Sequence, residues 1–205
     1  AHTRWATHGE PSATNAHPHV SMSGDLALVH NGIIENYQVL KEQLIEKGYE
    51  FKSTTDTEVL VQLIDFYYQQ NGKDLVSAVC QALNDAIGAY AIAVVEKNNP
   101  SHLVAARQYS PLVVGVGKDN RNFYIASDAT PIVEHTDKVV YLDDGQIADI
   151  QVSEELNIIN LEHSACHYDI KTVDLDISKL SKGGFDHFML KEIYDQPNCL
   201  KDCMS

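Results

Sequence analysis

The chain has 205 residues, of which 44% are hydrophobic and 21% charged, and its formal net charge is −14. This composition predicts one compact globular unit, and the negative charge argues against a nucleic acid partner. No apolar run is long enough for a membrane span and no secretory leader is evident, so we expect a cytoplasmic protein without a membrane partner.

The first predicted elements are a short strand and a helix. The apolar run LALV at 26–29 is soon followed by Asn31-Gly32, a dipeptide typical of turns, so we expect the strand to end there. Apolar residues at helical spacing begin at residue 37. Asn36 has the N-cap position of this helix, and Gly48 is the left-handed residue that ends it.

Two further helices are predicted before the composition changes. Thr55 and Glu58 have the spacing of a capping box, so the second helix should begin near Asp56. Leucine, valine and alanine recur at three- and four-residue steps over 74–87, which predicts a third helix that stops at Gly88.

The second half of the chain predicts strands. Short runs rich in β-branched and aromatic residues are separated by turn-forming residues such as Asn, Pro and Gly. These runs cover residues 89–97, 102–108, 111–117, 122–128, 138–151 and 171–177. Helices grouped before antiparallel hairpins favour a layered α+β domain over a parallel βαβ fold.

The composition changes again from Ser181. A Gly-Gly pair leads into a helical pattern that includes Phe188 and Ile193. We interpret residues 181–205 as a linker that starts a connection to a further domain, and residues 1–180 as the domain before it.

The segment HTRWATHGEPSATNAHPH, residues 2–19, contains four histidines and the only tryptophan of the chain. His17 and His19 flank a proline, and His2 and His8 precede them. However, no cysteine or carboxylate has the usual metal-ligand spacing beside these histidines. We therefore expect no metal and no cofactor.

Three other features each allow two interpretations. Asn31-Gly32 is either a hairpin turn, which the local sequence favours, or a pair of amide donors for an oxyanion. Asp56 is either an ordinary helix-start residue, the commoner case, or a ligand-binding carboxylate. Arg4 is either a surface cation or a clamp that binds both oxygens of a carboxylate.

Four motifs in a fixed order connect these features: HTRWATHG at 2–9, NAHPH at 15–19, VHNGIIEN at 29–36 and TDTEVL at 55–60. Together they resemble the glutaminase domain of the class II glutamine amidotransferases, which are N-terminal-nucleophile enzymes. The later segment KEIYDQP, residues 191–197, resembles the join to the sugar isomerase half in the glutamine–fructose-6-phosphate aminotransferases.

The resemblance implies a fold and a glutamine site. The family fold is a four-layer αββα sandwich of the Ntn-hydrolase type, which here would be truncated at the N-terminus. On the matching motif positions, Arg4 would hold the α-carboxylate of glutamine and Asp56 its α-ammonium. Asn31 and the backbone N–H of Gly32 would form the oxyanion hole.

The resemblance also assigns roles in the N-terminal segment. Trp5, Thr7 and His8 would line the glutamine pocket. His17 lies in the NAHPH segment, which in the family helps to couple the glutaminase and synthase halves.

The family nucleophile is a cysteine at the mature N-terminus, whose own α-amino group is the general base. This sequence starts with Ala1, and Cys80, Cys166, Cys199 and Cys203 are internal residues without a free α-amine. We therefore expect the 205-residue chain alone not to hydrolyse glutamine. A chain of this size needs no disulfide framework, and we expect all four cysteines to be free thiols.

The substrates follow from the same resemblance. The full-length enzyme would use L-glutamine to convert fructose 6-phosphate, held by a sugar isomerase domain, into glucosamine 6-phosphate, and it would be a homodimer. Two alternatives remain open. One is a non-catalytic glutamine-binding or scaffold module, and the other is the amidotransferase domain of a purine or asparagine synthesis enzyme, against which KEIYDQP argues.

Overall fold

The computed structural model describes residues 2, 8–118, 122–152, 154–173 and 184–204. The helices are α1 (Tyr37–Glu46), α2 (Asp56–Gln70), α3 (Leu75–Asp85) and α4 (Phe188–Met204). The strands are β1 (His19–Val20), β2 (Leu26–Ile34), β3 (Gly88–Glu96), β4 (Asn99–Gln108), β5 (Val113–Val116), β6 (Phe123–Ala126), β7 (Lys138–Tyr141), β8 (Gln146–Gln151), β9 (Asn157–Asn160) and β10 (Lys171–Thr172).

The strands form two antiparallel sheets. The first has six strands in the order β1-β2-β3-β4-β8-β9, and the second has four in the order β10-β7-β5-β6. One buried cluster joins apolar side chains of the first sheet, such as Leu28 and Ile92, to helices α1, α2 and α3. A second cluster, with Ala105 of β4 and Val114 of β5, lies between the sheets. The predicted α+β sandwich is confirmed.

Helix α2 begins where the capping-box spacing predicts. The Thr55 hydroxyl accepts a hydrogen bond from the Glu58 backbone N–H at 3.2 Å. The Glu58 carboxylate, instead of returning to Thr55, accepts from the backbone N–H groups of Lys52 and Ser53 at 2.8 and 2.6 Å. These bonds fix the loop before α2 and therefore the position of Asp56, the first residue of the helix.

The other two helices of the first half differ slightly from their predicted form. Asn36 occupies the N-cap of α1, but its side chain makes no capping hydrogen bond. It bonds instead to the Asp85 carbonyl and the Ile87 N–H, at 2.8 and 2.9 Å, and so joins α1 to the end of α3. Gly48 has the predicted positive φ of 90° after α1. Gly88 opens β3 and is not the residue that ends α3.

The predicted turn at Asn31-Gly32 is wrong. Strand β2 continues through both residues to Ile34, and all nine of its residues pair with β3. Gly32 has a φ of 136°, and a Cβ at this position would collide with the Ala89 carbonyl oxygen on β3. Pairing along the whole of β3 therefore outweighs the local turn preference of Asn-Gly, and the glycine permits the close approach of the two strands.

The predicted strand run over 138–151 forms two strands, β7 and β8, which belong to different sheets. The Gly145 N–H donates to the Arg107 carbonyl at 2.9 Å, which ties the connection to the end of β4. Strands β1 and β9 have two and four residues and give no periodic signal in the sequence. Only the start of the predicted strand at 171–177 forms β10, and residues 174–177 lie outside the described residues.

Near the C-terminus, helix α4 follows the predicted helical pattern. No described helix is both long enough and apolar enough to cross a membrane. Cys80, Cys166 and Cys199 are free thiols, as predicted. The side chain of Cys203 lies outside the described part of the chain.

A charged cluster connects three neighbouring strands of the six-stranded sheet. His102 on β4 lies between Glu96 on β3 and Asp149 on β8, and its two ring nitrogens are each 2.8 Å from a carboxylate oxygen. The His102 side chain is 12% exposed. The hydrogen bond to Asp149, supported by the one to Glu96, raises the pKa of His102 although burial opposes this. The imidazolium therefore acts as a cross-link between strands.

We expect His102→Gln to lower the free energy of unfolding by about 1–3 kcal/mol at about pH 6, because two charge-assisted hydrogen bonds are lost. Folding raises the His102 pKa above its ordinary value of 6.5. The stabilisation is therefore complete below that value and disappears as the pH rises through the raised pKa. Urea unfolding across this range measures the effect, with the exposed His167→Gln as control. A loss in His102→Gln that does not depend on pH contradicts the cross-link.

Candidate active site

A cavity of about 330 Å³ lies beside strand β2 and the N-terminal end of helix α2. This volume is within the range of about 300–1,000 Å³ that is typical of small-molecule sites. Its lining combines a carboxylate, a carboxamide, hydroxyls and several imidazoles. The lining residues are His2, His8, His17, His30, Asn31, Gly32, Ile33, Thr55, Asp56 and Thr57.

A larger cavity, of about 690 Å³, shares His2, His30 and Asn31 with the first. It lies between the two sheets, and most of its other lining is apolar, as at Leu103 and Ile150. The smaller cavity is the one where a carboxylate and amide donors converge, and it is therefore the candidate active site.

Asp56 supplies the carboxylate of the site. It is the first residue of α2 and only 3% exposed. One carboxylate oxygen accepts a hydrogen bond from the Ile34 backbone N–H at 2.9 Å, and the other lies 3.9 Å from His8 Nδ1. The bond from the Ile34 N–H holds this carboxylate in place at the start of the helix. A buried, fixed anion of this kind suits a cationic group of a ligand.

Asn31 and Gly32, on β2, form another part of the lining. The strand, in place of the predicted turn, holds both residues next to β3. The Asn31 carboxamide oxygen accepts a hydrogen bond from His2 Nε2 at 2.8 Å. A side-chain amide beside a glycine backbone N–H is a suitable donor pair for an oxyanion.

His30 joins strand β2 to helix α2 beneath the cavity. It is 3% exposed, and its Nδ1 is 3.0 Å from the Thr57 hydroxyl in the first turn of α2. Burial lowers the pKa of His30, although the Asp56 carboxylate acts in the opposite direction. A neutral His30 is therefore a rigid polar contact between the two elements that form the site.

The imidazole rings of His17 and His19 pack against each other close to Asn31. His17 Nδ1 accepts a hydrogen bond from the His30 backbone N–H at 3.3 Å. The His17 ring stacks on His2 with centroids 4.1 Å apart, and His19 meets it edge-on at 5.3 Å. His19 Nε2 lies 3.1 Å from the hydroxyl of Thr55, the N-cap of α2. These two rings therefore connect β2 with the start of α2.

The structure brings together five of the residues predicted for the site: His8, His17, Asn31, Gly32 and Asp56 all line the cavity. His8 also meets the Tyr37 ring edge-on at 5.0 Å. The other three predicted residues, Arg4, Trp5 and Thr7, lie outside the described residues.

Sequence reasoning missed His30, Thr57 and the contact of His2. The alternation of residues along β2 contains a signal for His30. Leu26, Leu28, His30 and Ile34 are on the buried face of this strand. A histidine on this buried face needs a polar partner, and Thr57 supplies it.

Within the described ranges, no group of three His, Cys, Asp or Glu side chains has an arrangement that would hold a metal ion. The described lining of the cavity offers a fixed carboxylate and hydrogen-bond donors. Such a site suits a ligand that has a cationic group and a carbonyl that becomes an oxyanion.

Comparison with known proteins agrees with this chemistry. A family described as a glutamine amidotransferase domain matches residues 1–189. The chain is 60% identical to the glutamine–fructose-6-phosphate aminotransferase (isomerizing) of Bacteroides thetaiotaomicron over 204 residues, which cover 100% of the chain and 33% of that protein. It is 51% identical over 205 residues to the enzyme of the same name from Chlorobaculum tepidum, again covering 100% and 33%. The chain thus spans about a third of the length of these relatives.

Among solved structures, the fold is similar to that of glutamine phosphoribosylpyrophosphate amidotransferase from B. subtilis complexed with ADP and GMP. The TM-score is 0.62 at 27% identity, and the match covers 78% of this chain and 34% of that one. The predicted resemblance is confirmed, and the chain belongs to the family of glutamine amidotransferase domains.

Proposed function

We propose that this chain is the glutaminase domain of a glutamine–fructose-6-phosphate aminotransferase. The full-length enzyme would hydrolyse glutamine and deliver the ammonia to fructose 6-phosphate, which becomes glucosamine 6-phosphate. The relatives that are 60% and 51% identical carry the name of this activity, which supports the choice over purine or asparagine synthesis.

The proposal includes the domain organisation. Residues 1–180 would form the glutaminase domain, and residues 181–205 would start the connection to a sugar isomerase domain that binds fructose 6-phosphate. The family match ends at residue 189, next to the start of α4, which supports a boundary in this region. We also propose a cytoplasmic homodimer, as the resemblance implies. The free thiols are consistent with a reducing compartment.

The observation that carries the proposal is the position of Asp56 and of the Asn31-Gly32 pair on one cavity. Glutamine has an α-ammonium group at one end and a carboxamide at the other. Asp56 would bind the ammonium, while the Asn31 side-chain amide and the Gly32 N–H would face the carboxamide oxygen. Arg4 would hold the α-carboxylate, and Trp5, Thr7 and His8 would complete the pocket.

This arrangement serves the two steps of amide hydrolysis. The thiol of the nucleophile gives its proton to the α-amino base, and the thiolate adds to the carboxamide carbon, whose oxygen becomes an oxyanion. The base then passes this proton to the amide nitrogen, the C–N bond breaks, and ammonia leaves while a thioester remains. Water then adds to the thioester through a second oxyanion and releases glutamate. Asn31 and Gly32 would stabilise both oxyanions, and binding of the ammonium at Asp56 would keep the reacting carbon in place.

The thiolate itself would come from an N-terminal cysteine, as the family resemblance implies. No cysteine is among the lining residues of the cavity in the described part of the chain. Cys80 is 1% exposed within α3, and burial raises its pKa to about 11, so it is a protonated core residue at neutral pH.

His17 would help to couple the glutaminase and synthase halves. Its contacts to His2, to His19 and to the His30 backbone support this role, because they connect the start of α2 with the strand that carries Asn31. A shift of the segment that contains His17 would therefore reach the oxyanion donors.

Glutamate release by two polypeptides tests the proposal. One is the 205-residue chain, and the other is extended upstream to an N-terminal cysteine. We expect hydrolysis only from the extended polypeptide, and loss of that activity when the N-terminal cysteine is replaced by serine or alanine. Activity of the 205-residue chain itself would require another nucleophile and would overturn the mechanism. Inactivity of both polypeptides, with intact folding, would favour a non-catalytic glutamine-binding module.

A further inference from the structure

The contact between His2 and Asn31 has a defined direction. His2 Nε2 lies 2.8 Å from Asn31 Oδ1. A carboxamide oxygen has no hydrogen to give, so in this contact the imidazole N–H donates and the oxygen accepts. Both hydrogens on the Asn31 nitrogen then remain available for other acceptors.

The direction matters because the two ends of a carboxamide have nearly the same shape and opposite hydrogen-bonding character. If the Asn31 amide rotated by half a turn, its oxygen would take the place of its nitrogen and would repel an oxyanion. An oxyanion hole works because its donors are already oriented before the charge develops. Something must therefore hold the Asn31 amide in one of its two orientations.

We propose that His2 is a positioning residue that fixes the Asn31 amide with its nitrogen toward the cavity. The inference rests on the proposed function, since it assigns Asn31 to the oxyanion. His2 does not act on the reacting atoms in this assignment. It acts through Asn31, by occupying the oxygen that would otherwise compete for the donor position.

The surroundings of His2 support this role. Its ring stacks on His17, with centroids 4.1 Å apart and an interplanar angle of 22°. His17 is in turn bound at Nδ1 by the backbone N–H of His30, the residue before Asn31. The contacts therefore run from Asn31 to His2, then to His17, and back to β2 at the backbone of His30. Because the His2 ring is held by these contacts, it can fix the orientation of the Asn31 amide.

The second ring nitrogen of His2 supports the same conclusion. His2 Nδ1 is buried and has no hydrogen-bond partner among the described residues. Among the described residues, the bond to Asn31 is therefore the hydrogen bond that orients the ring. Because Asn31 Oδ1 can only accept, we expect the Nε2 nitrogen to carry a proton.

A direct test uses the 205-residue chain and needs no activity. The nitrogen chemical shifts of the labelled His2 ring show which of its nitrogens carries a proton. Comparison with His2→Phe identifies the ring signals. A protonated Nε2 is the expected result. An unprotonated Nε2 would mean that the Asn31 nitrogen faces His2, and this would overturn the proposal whether or not the chain is a glutaminase.

A kinetic test uses the full-length enzyme and two variants. His2→Phe keeps a flat ring for stacking on His17 but removes the donor, whereas His2→Gln keeps a donor. We expect His2→Phe to lower kcat for glutamine hydrolysis by roughly 10- to 100-fold, with little change in KM, because an oxyanion donor is misoriented. His2→Gln should restore a large part of this loss.

The double variant separates positioning from a general structural role. In an Asn31→Ala background there is no amide to orient, so His2→Phe should cause no further loss of kcat. Equal losses in the two backgrounds, or an unchanged kcat in His2→Phe alone, would overturn the proposal. A wild-type enzyme that lacks glutaminase activity would instead refute the proposed function. The nitrogen chemical shifts of the His2 ring would still show whether His2 donates to Asn31.

Discussion

Replacing Asp56 by asparagine in the proposed full-length aminotransferase should raise the KM for glutamine by roughly 30- to 1,000-fold. This corresponds to about 2–4 kcal/mol, the usual loss when one member of a desolvated charge pair is removed. Asparagine keeps an oxygen that can accept the Ile34 N–H bond, so the start of α2 should be preserved. The variant therefore removes the negative charge and little else.

The separate effects of this variant on KM and on kcat identify the role of the Asp56 charge. An ammonium bound equally in the ground state and the transition state affects KM and leaves kcat nearly unchanged. Use of free ammonia by the synthase half should also be unchanged, because it does not involve the glutamine cavity. A wild-type KM for glutamine in this variant would exclude Asp56 from substrate binding.

Asp65→Asn is a matched control for the Asp56 variant. Asp65 lies on the same helix and is 1% exposed, but its carboxylate binds Ser23 and Gln69 and it does not line the cavity. This variant should lower the free energy of unfolding and leave the KM for glutamine unchanged. A raised KM in both variants would indicate a general disturbance of α2, not the loss of a ligand contact.

Local sequence signals predicted the helices well. The caps and the helical period of α1, α2 and α3 depend on residues within a few positions of one another, as in the bond between Thr55 and the Glu58 N–H. One residue-level exception is Asn36, whose side chain bonds to the end of α3, 49 residues away. Such a partner is not visible in a local pattern.

The strands show the limit of local reasoning more clearly. Asn31-Gly32 is a strong turn signal, yet β3, more than fifty residues later, pairs with this dipeptide and keeps it in a strand. The run over 138–151 was predicted to form strand, but not that the chain passes there from one sheet to the other. Strand partners depend on the whole topology, so a list of strands does not determine which pairs share a sheet.

The family motifs point to residues that the structure places on one cavity, and the roles of these residues stay a prediction. Motif positions supplied Asp56 and Asn31, while the residues alone favoured an ordinary helix start and an ordinary turn. The supporting contacts through His30 and His2 depend on burial and on side-chain direction, which a motif does not contain. The structure therefore adds the partners that hold the predicted residues.

Replacing Asn31 by alanine in the full-length enzyme should lower kcat for glutamine hydrolysis by roughly 100- to 1,000-fold, the usual effect of removing one oxyanion donor. The KM for glutamine should change little, because the donor is needed most when charge develops on the oxygen. Asn31 is exposed and its backbone is held by pairing with β3, so the variant should fold normally.

Asn31→Asp is the more demanding version of the same test. It keeps the size and shape of the side chain but puts an acceptor, and a negative charge near neutral pH, where the donor was. An oxyanion hole should tolerate this variant no better than Asn31→Ala, whereas a site that needs Asn31 only to fill space should tolerate it well. Activity close to wild type in Asn31→Asp would therefore remove Asn31 from the oxyanion hole. A loss confined to KM in either variant would assign Asn31 to binding instead.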